Sequence, residues 1–154
     1  MKIIKLGLIS VLFLFLAAVA VSLMIPSRVR ISRAVDLQDA RLAMQMVHDT
    51  SQWDQWHPAF MHDSLEPPAV SIVSQTDTSM IVTMHRGNRK PFTSGWLLHR
   101  YPHTDTVTLQ WYMDFQLKWY PWEKFSSLFF ENVFGTLMEE GLANLKDPNR
   151  VRTK

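Results

Sequence analysis

Between Thr106 and Trp119 every second residue is apolar. Val107, Leu109, Trp111, Met113, Phe115, Leu117 and Trp119 alternate with Thr108, Gln110, Tyr112, Asp114, Gln116 and Lys118. That alternation is the period of a β-strand whose two faces meet different surroundings. Burying apolar surface stabilises by roughly 25 cal/mol per Å². A face of seven large apolar side chains therefore cannot stay in water, and the strand must floor a core or a cavity. It demands a second layer.

The covering layer is legible just downstream. After Tyr120-Pro121, a long helix is predicted from Trp122 to Lys146. Phe125, Leu128, Phe129, Val133, Leu137, Met138, Leu142 and Leu145 recur at spacings of three and four, a broad apolar stripe. Lys124, Glu131, Asn132, Glu139, Glu140 and Asn144 supply the polar remainder. Asp147-Pro148-Asn149 ends the helix, and 148–154 reads as a tail.

Upstream, Arg28 to Val35 alternates polar and apolar as a first strand. Asp36 is the expected N-cap of a following helix, with Asp39 in its first turn and Leu42, Ala43, Met46 and Val47 on its apolar side. Thr50 or Ser51 caps a second short helix carrying Trp53 and Trp56, and Pro58 closes it. Ala69–Gln75, Ser79–Arg86 and Phe92–Tyr101 read as three more strands, separated by Asp77, by Gly87-Asn88 and, before the alternating strand, by Pro102-His103. Turns this short favour an antiparallel meander over crossovers. The expected class is α+β, a curved sheet wrapped on the C-terminal helix.

Ile3 to Ile25 stands apart. It carries one charge, Lys5. As a helix, this segment spans roughly 34 Å at about 1.5 Å per residue, enough to cross a hydrocarbon core. Pro26 stops it. A cleaved signal peptide would end near Ala18-Val19-Ala20. A retained, single-pass transmembrane anchor accounts better for the apolar run continuing through Val21, Leu23, Met24 and Ile25. We therefore divide the chain into an anchor at 1–27, a domain at 28–147 and the tail. Basic residues flank the span on both sides, with Lys2 and Lys5 before it and Arg28, Arg30 and Arg33 after it. They leave the side of the membrane undetermined.

Composition narrows the chemistry. The chain has no cysteine, which excludes disulfides, thiol nucleophiles and cysteine-ligated metals. Lys2 and Lys5 account for the whole cationic excess, so the chain from Arg28 onward is neutral. Nucleic-acid binding asks for a clustered excess of Lys and Arg and is not expected. There is no G-x-S-x-G, no phosphate-binding glycine loop and no readable carboxylate pair. His57 and His62, near Asp54, Asp63 and Glu66, lack a third histidine at a metal-ligating distance and read as loop residues. His85 and His99 stand where adjacent strands would place them face to face. With Tyr112 they are the candidates for acid or base work beside a cavity. Arg86, Arg89 and Lys90 surround Gly87-Asn88, a cationic turn suited to solvent or anionic headgroups. Asp114 is expected in solvent or paired with Lys118, and Trp53 and Trp56 are read as pinning their helix to the sheet.

Three features together resemble the START and Bet v 1-like superfamily, in particular its polyketide cyclase/dehydrase-like branch. They are the basic strand Arg28–Val35 leading to Trp53-x-x-Trp56-x-Pro58, the strand bearing Val107-x-Leu109-x-Trp111, and the terminal helix between Tyr120-Pro121-Trp122 and Glu140-Gly141-Leu142-Ala143-Asn144-Leu145-Lys146. The resemblance covers residues 28 to 147, with five strands where that family usually has six or seven. It implies a helix-grip fold enclosing an apolar pocket for a lipid, sterol or aromatic compound. The expected lining is Trp111, Met113 and Phe115 from the strand, with Phe129, Val133 and Leu137 from the helix. Neither cofactor nor metal is implied. The expectation is membrane-anchored binding of a small hydrophobic ligand. A polyketide cyclase/dehydratase-like enzyme, or a protein-interaction module with a filled core, are the alternatives.

Overall fold

The computed structural model describes residues 2–61, 66–101 and 106–147. His62, Asp63, Pro102, His103 and the tail lie outside them. α1 (Lys2–Met24) leads into β1 (Arg28–Leu37), then α2 (Ala40–His48), a 3-10 turn (Thr50–Gln55) and α3 (Pro58–Met61). β2 (Ala69–Thr76), β3 (Ser79–His85), β4 (Phe92–Arg100) and β5 (Val107–Gln116) follow. α4 (Pro121–Ser126), a second 3-10 turn (Ser127–Phe129) and α5 (Phe130–Lys146) complete the order. All neighbouring strands are antiparallel, in the order β1-β5-β4-β3-β2. The meander expected from the short turns is present, closed on its other edge by β1. The architecture is α+β, a helix-grip fold.

Several local boundaries differ from the sequence reading. β1 runs on to Leu37 because Asp36 pairs with Thr108 in the ladder and accepts the Thr108 hydroxyl at 2.6 Å. Asp39, not Asp36, caps α2 by accepting the Leu42 N–H at 3.0 Å. Asp49 caps the first 3-10 turn through the Ser51 N–H, and Pro58 opens α3 instead of closing a helix. β5 stops at Gln116, and Trp119 is 62% exposed beyond it. Asp114 pairs through both carboxylate oxygens with Arg30, not Lys118.

One half of the space between sheet and helices is filled by aromatic rings. Trp53, Trp56, Trp96, Trp111 and His57 are all fully buried. Trp96 and Trp111 stack at 5.2 Å, Trp53 lies 5.2 Å from Trp96, and Trp56 meets Trp111 edge-on at 6.0 Å. The indole N–H groups of Trp53, Trp56 and Trp111 donate to Val47 O, Met46 O and Ser94 Oγ. Each ring thereby keeps both its apolar contacts and a polar partner. Asn144 of α5 donates to Trp56 O at 3.1 Å, tying the long helix to the block.

Two glycines set how closely α5 approaches. A Cβ at Gly141 would stand 2.7 Å from the Trp111 ring and 3.1 Å from Pro58. A Cβ at Gly135 would meet only the Arg33 guanidinium, at 2.5 Å. Arg33 lies on the same face of β1 as Ile31 and reaches across Gly135 to Glu131 and Glu139, each at 2.6 Å. Gly141→Ala should therefore lower stability by about 1–3 kcal/mol through overpacking, although alanine is the better helix former. Gly135→Ala should cost less than Gly141→Ala, because the flexible Arg33 guanidinium can give way at the expense only of its ion pairs with the exposed Glu131 and Glu139. Thermal unfolding of the full chain in detergent micelles checks the pair. A higher Tm for Gly141→Ala would contradict the packing.

Candidate functional site

The other half of the interlayer space is hollow. The inward residues of β3, β4 and β5 supply Met84, Phe92, Met113 and Phe115, while α5 supplies Phe130, Phe134 and Leu137. Together they surround a cavity of about 420 Å³. Phe115 lies 4.6 Å from Phe134, 4.9 Å from Phe130 and 5.2 Å from Phe92. These rings touch one another and form one apolar wall of the cavity.

The mouth is polar and mostly cationic. Arg89 and Lys90 from the β3–β4 turn join Gln116 and Glu123 there, while Arg86, at the start of that turn, reaches inward to Ala59. Gly87 allows this turn by taking φ +51°, a left-handed conformation suited to glycine. The turn, read from the sequence as facing solvent or anionic headgroups, is exposed and also rims the hollow. Lys90 grips both oxygens of Glu123 at 2.5 and 2.7 Å, and Glu123 also accepts the Lys118 N–H at 2.6 Å. Partial burial acts to raise the Glu123 pKa, but these donors outweigh it and hold the carboxyl below its ordinary range.

The closed end is formed by His57, between the aromatic block and the cavity. Its ring stacks on Trp53 at 5.4 Å and lies 4.9 Å from Trp111. Nδ1 accepts the Ala59 N–H at 3.2 Å, which leaves the proton of the neutral ring on Nε2. Nε2 has no partner. Burial pushes the His57 pKa down to about 3, with the nearby Arg86 charge adding to the effect. Arg86 donates from Nη2 to Ala59 O at 3.1 Å, and its buried Nε is likewise without a partner.

Of the residues expected to line the pocket, Met113, Phe115 and Leu137 do so. Trp111 does not: it is fully buried in the aromatic block under Gly141. Phe129 and Val133 are also displaced from the expected lining, being 64% and 60% exposed. The sequence stripe assumed one unbroken helix, whereas the 3-10 turn at Ser127–Phe129 resets its phase. Phe130 and Phe134 turn inward instead.

The acid–base candidates also lie elsewhere. His85 and His99 stand on the outer sheet face, near opposite ends of the β3–β4 ladder, and neither faces the cavity. His99 Nε2 lies 2.9 Å from Gln110 Oε1. Tyr112 lies flat over Gly95 with the Arg30 guanidinium 4.5 Å above its ring. His57, read as a loop residue, is the buried histidine at the cavity. Its only sequence signal was its place directly after Trp53-x-x-Trp56. Among the described residues, no three metal-ligating side chains gather.

No protein-family model matches the chain, and no curated protein resembles it closely enough to be matched. Similar solved structures exist. The di-domain ARO/CYC StfQ from the steffimycin biosynthetic pathway superposes with a TM-score of 0.58 at 9% identity, over 82% of this chain. This chain thus spans about half of StfQ, 52% of its length. An uncharacterized protein of Bacillus thuringiensis gives 0.54 at 10% identity, covering 77% of this chain and 96% of its own. CalU16 from Micromonospora echinospora gives 0.51 at 10% identity, with coverage of 80% and 79%. At such identities the likeness is one of fold alone, a helix grip in which an antiparallel sheet packs against a long C-terminal helix.

Proposed function

We propose that this chain is a membrane-anchored binding protein for a small hydrophobic molecule held between the sheet and α5. The observation that carries the reading is the apolar hollow of about 420 Å³, which the chain's own side chains leave unfilled. Interiors normally close to crystal density, and unfilled space costs stability. A hollow of this size suits a ligand of modest bulk. Met113, Phe115 and Leu137, with Phe92, Phe130 and Phe134, are the proposed contacts.

Binding is favoured over cyclase or dehydratase chemistry by the state of the buried histidine. A general acid or base works best with a pKa near the operating pH. His57, at about 3, is a neutral hydrogen-bond donor at ordinary pH.

The membrane half of the proposal rests on α1 and on what stands beside it. Ile3–Met24 is long and apolar enough to cross a membrane and is almost wholly unburied by the rest of the chain. A signal sequence shares these properties; a helix of the soluble core would be mostly buried. Lys124 of α4 is itself buried and donates to Ile25 O at 2.6 Å and Ser27 Oγ at 2.8 Å, fastening the end of α1 to the domain. Trp119, Trp122, Leu128, Phe129 and Val133 are all exposed close by in the chain. Tryptophan at such a junction suits the headgroup layer. The stripe that fails to face the sheet then faces the bilayer surface.

Native mass spectrometry of the full chain released from micelles should show a retained or added apolar molecule. Leu137→Trp, which fills the hollow, should cut that occupancy about tenfold or more without lowering Tm. Equal occupancy in the variant would place the molecule elsewhere. In vesicles with brominated acyl chains, fluorescence quenching should be confined to Trp119 and Trp122, since the other four tryptophans are fully buried. The double variant Trp119→Phe/Trp122→Phe should lose the quenching. Quenching that persists there contradicts the docked face.

A further inference from the structure

We infer that the closed end of the cavity is a receptor for a carboxylate, so that the guest is an amphiphile with an anionic oxygen head and an apolar body. This rests on the binding reading above and names its ligand class. The starting point is a defect in hydrogen bonding. Among the described residues, four buried side-chain nitrogens lack partners, on His48, His57, Arg86 and Trp96. Two of these residues, His57 and Arg86, line the same cavity. A buried donor left without an acceptor is costly, and native structures rarely tolerate two together without a use for them.

The two donors are held by one residue, Ala59. Ala59 gives its N–H to His57 Nδ1 and its carbonyl to Arg86 Nη2. The first contact fixes the tautomer, so His57 presents N–H from Nε2. The second fixes the guanidinium and leaves Nε free. The aromatic rings packed on both sides of His57 prevent it from turning away. Two unpartnered N–H groups on residues lining one cavity, one of them cationic, are donors of the kind a carboxylate takes, where charge-assisted bonds are the stronger kind.

Charge agrees. Arg86 forms no ion pair with any described carboxylate. The cavity is lined by Arg86, Arg89 and Lys90 against the single carboxylate of Glu123, which Lys90 already holds. His57 is neutral and adds no competing charge. Between this end and the polar mouth the lining is Met84, Phe92, Met113, Phe115, Phe130, Phe134 and Leu137, a place for hydrocarbon. An alcohol or a bare hydrocarbon of the same length would leave the guanidinium charge unanswered.

Decanoate and decan-1-ol are the probes, measured by equilibrium dialysis against the full chain in nanodiscs, with empty nanodiscs as the blank. Decanoate should bind about tenfold or more tightly than decan-1-ol. His57→Phe and Arg86→Met should each weaken decanoate about tenfold and leave decan-1-ol within about twofold. The second variant keeps the test decisive if the first fails to fold. Equal affinities for the two probes, or unchanged decanoate binding in either folded variant, would overturn the carboxylate end while leaving the hollow as a binding site. Failure of the wild-type chain to take up either probe above the blank would overturn both.

Discussion

The block of four tryptophans closed around His57 is what the rest of the molecule depends on. These rings fill one half of the space between sheet and helices, and α5 rests on them through Gly141, where its backbone meets Trp111. At its other end α5 is held by Arg33, which bridges Glu131 and Glu139 across Gly135. A helix supported at two places need not collapse onto the sheet between them. The Phe115, Phe130 and Phe134 rings, in contact with one another, span from sheet to helix beside the hollow.

The same block supplies the site with its polar group. His57 belongs to the packed core by its faces and to the cavity by its edge. Its low pKa and its unpartnered Nε2 have one cause, removal from water among aromatic rings. Arg86 reaches the same place from the β3–β4 turn, so core and rim converge on Ala59. At the opposite side, buried Lys124 joins the end of α1 to α4, next to the exposed tryptophans.

The sheet was readable because strand alternation is local: the apolar face of β5 shows in its own residues, and the turns name the meander. The interior of the site was less readable. Phe129 and Val133 carry the spacing of an inward stripe, but a three-residue 3-10 turn rotates everything after it, and nothing in a hydrophobic pattern separates that turn from continuous helix. Arg33 looks like a solvent residue of β1, yet it lies on the helix-facing side because Gly135 leaves room for its guanidinium. His57 looked like a loop histidine because its local neighbours Trp53, Trp56 and Phe60 enclose it only together with Trp96 and Trp111, far away in the chain. Asp114 chose Arg30, its cross-strand partner, over Lys118 beyond the strand end. In each case the deciding contact is tertiary.

The claim at the centre of this account is that the space beneath α5 is empty of protein and open to a guest. A crystal structure of the full chain under xenon pressure tests it most directly, because xenon settles in apolar voids. The account predicts xenon between Met113, Phe115, Phe134 and Leu137, with the surrounding side chains unmoved. Side chains packed across that space, and no xenon there, would contradict it.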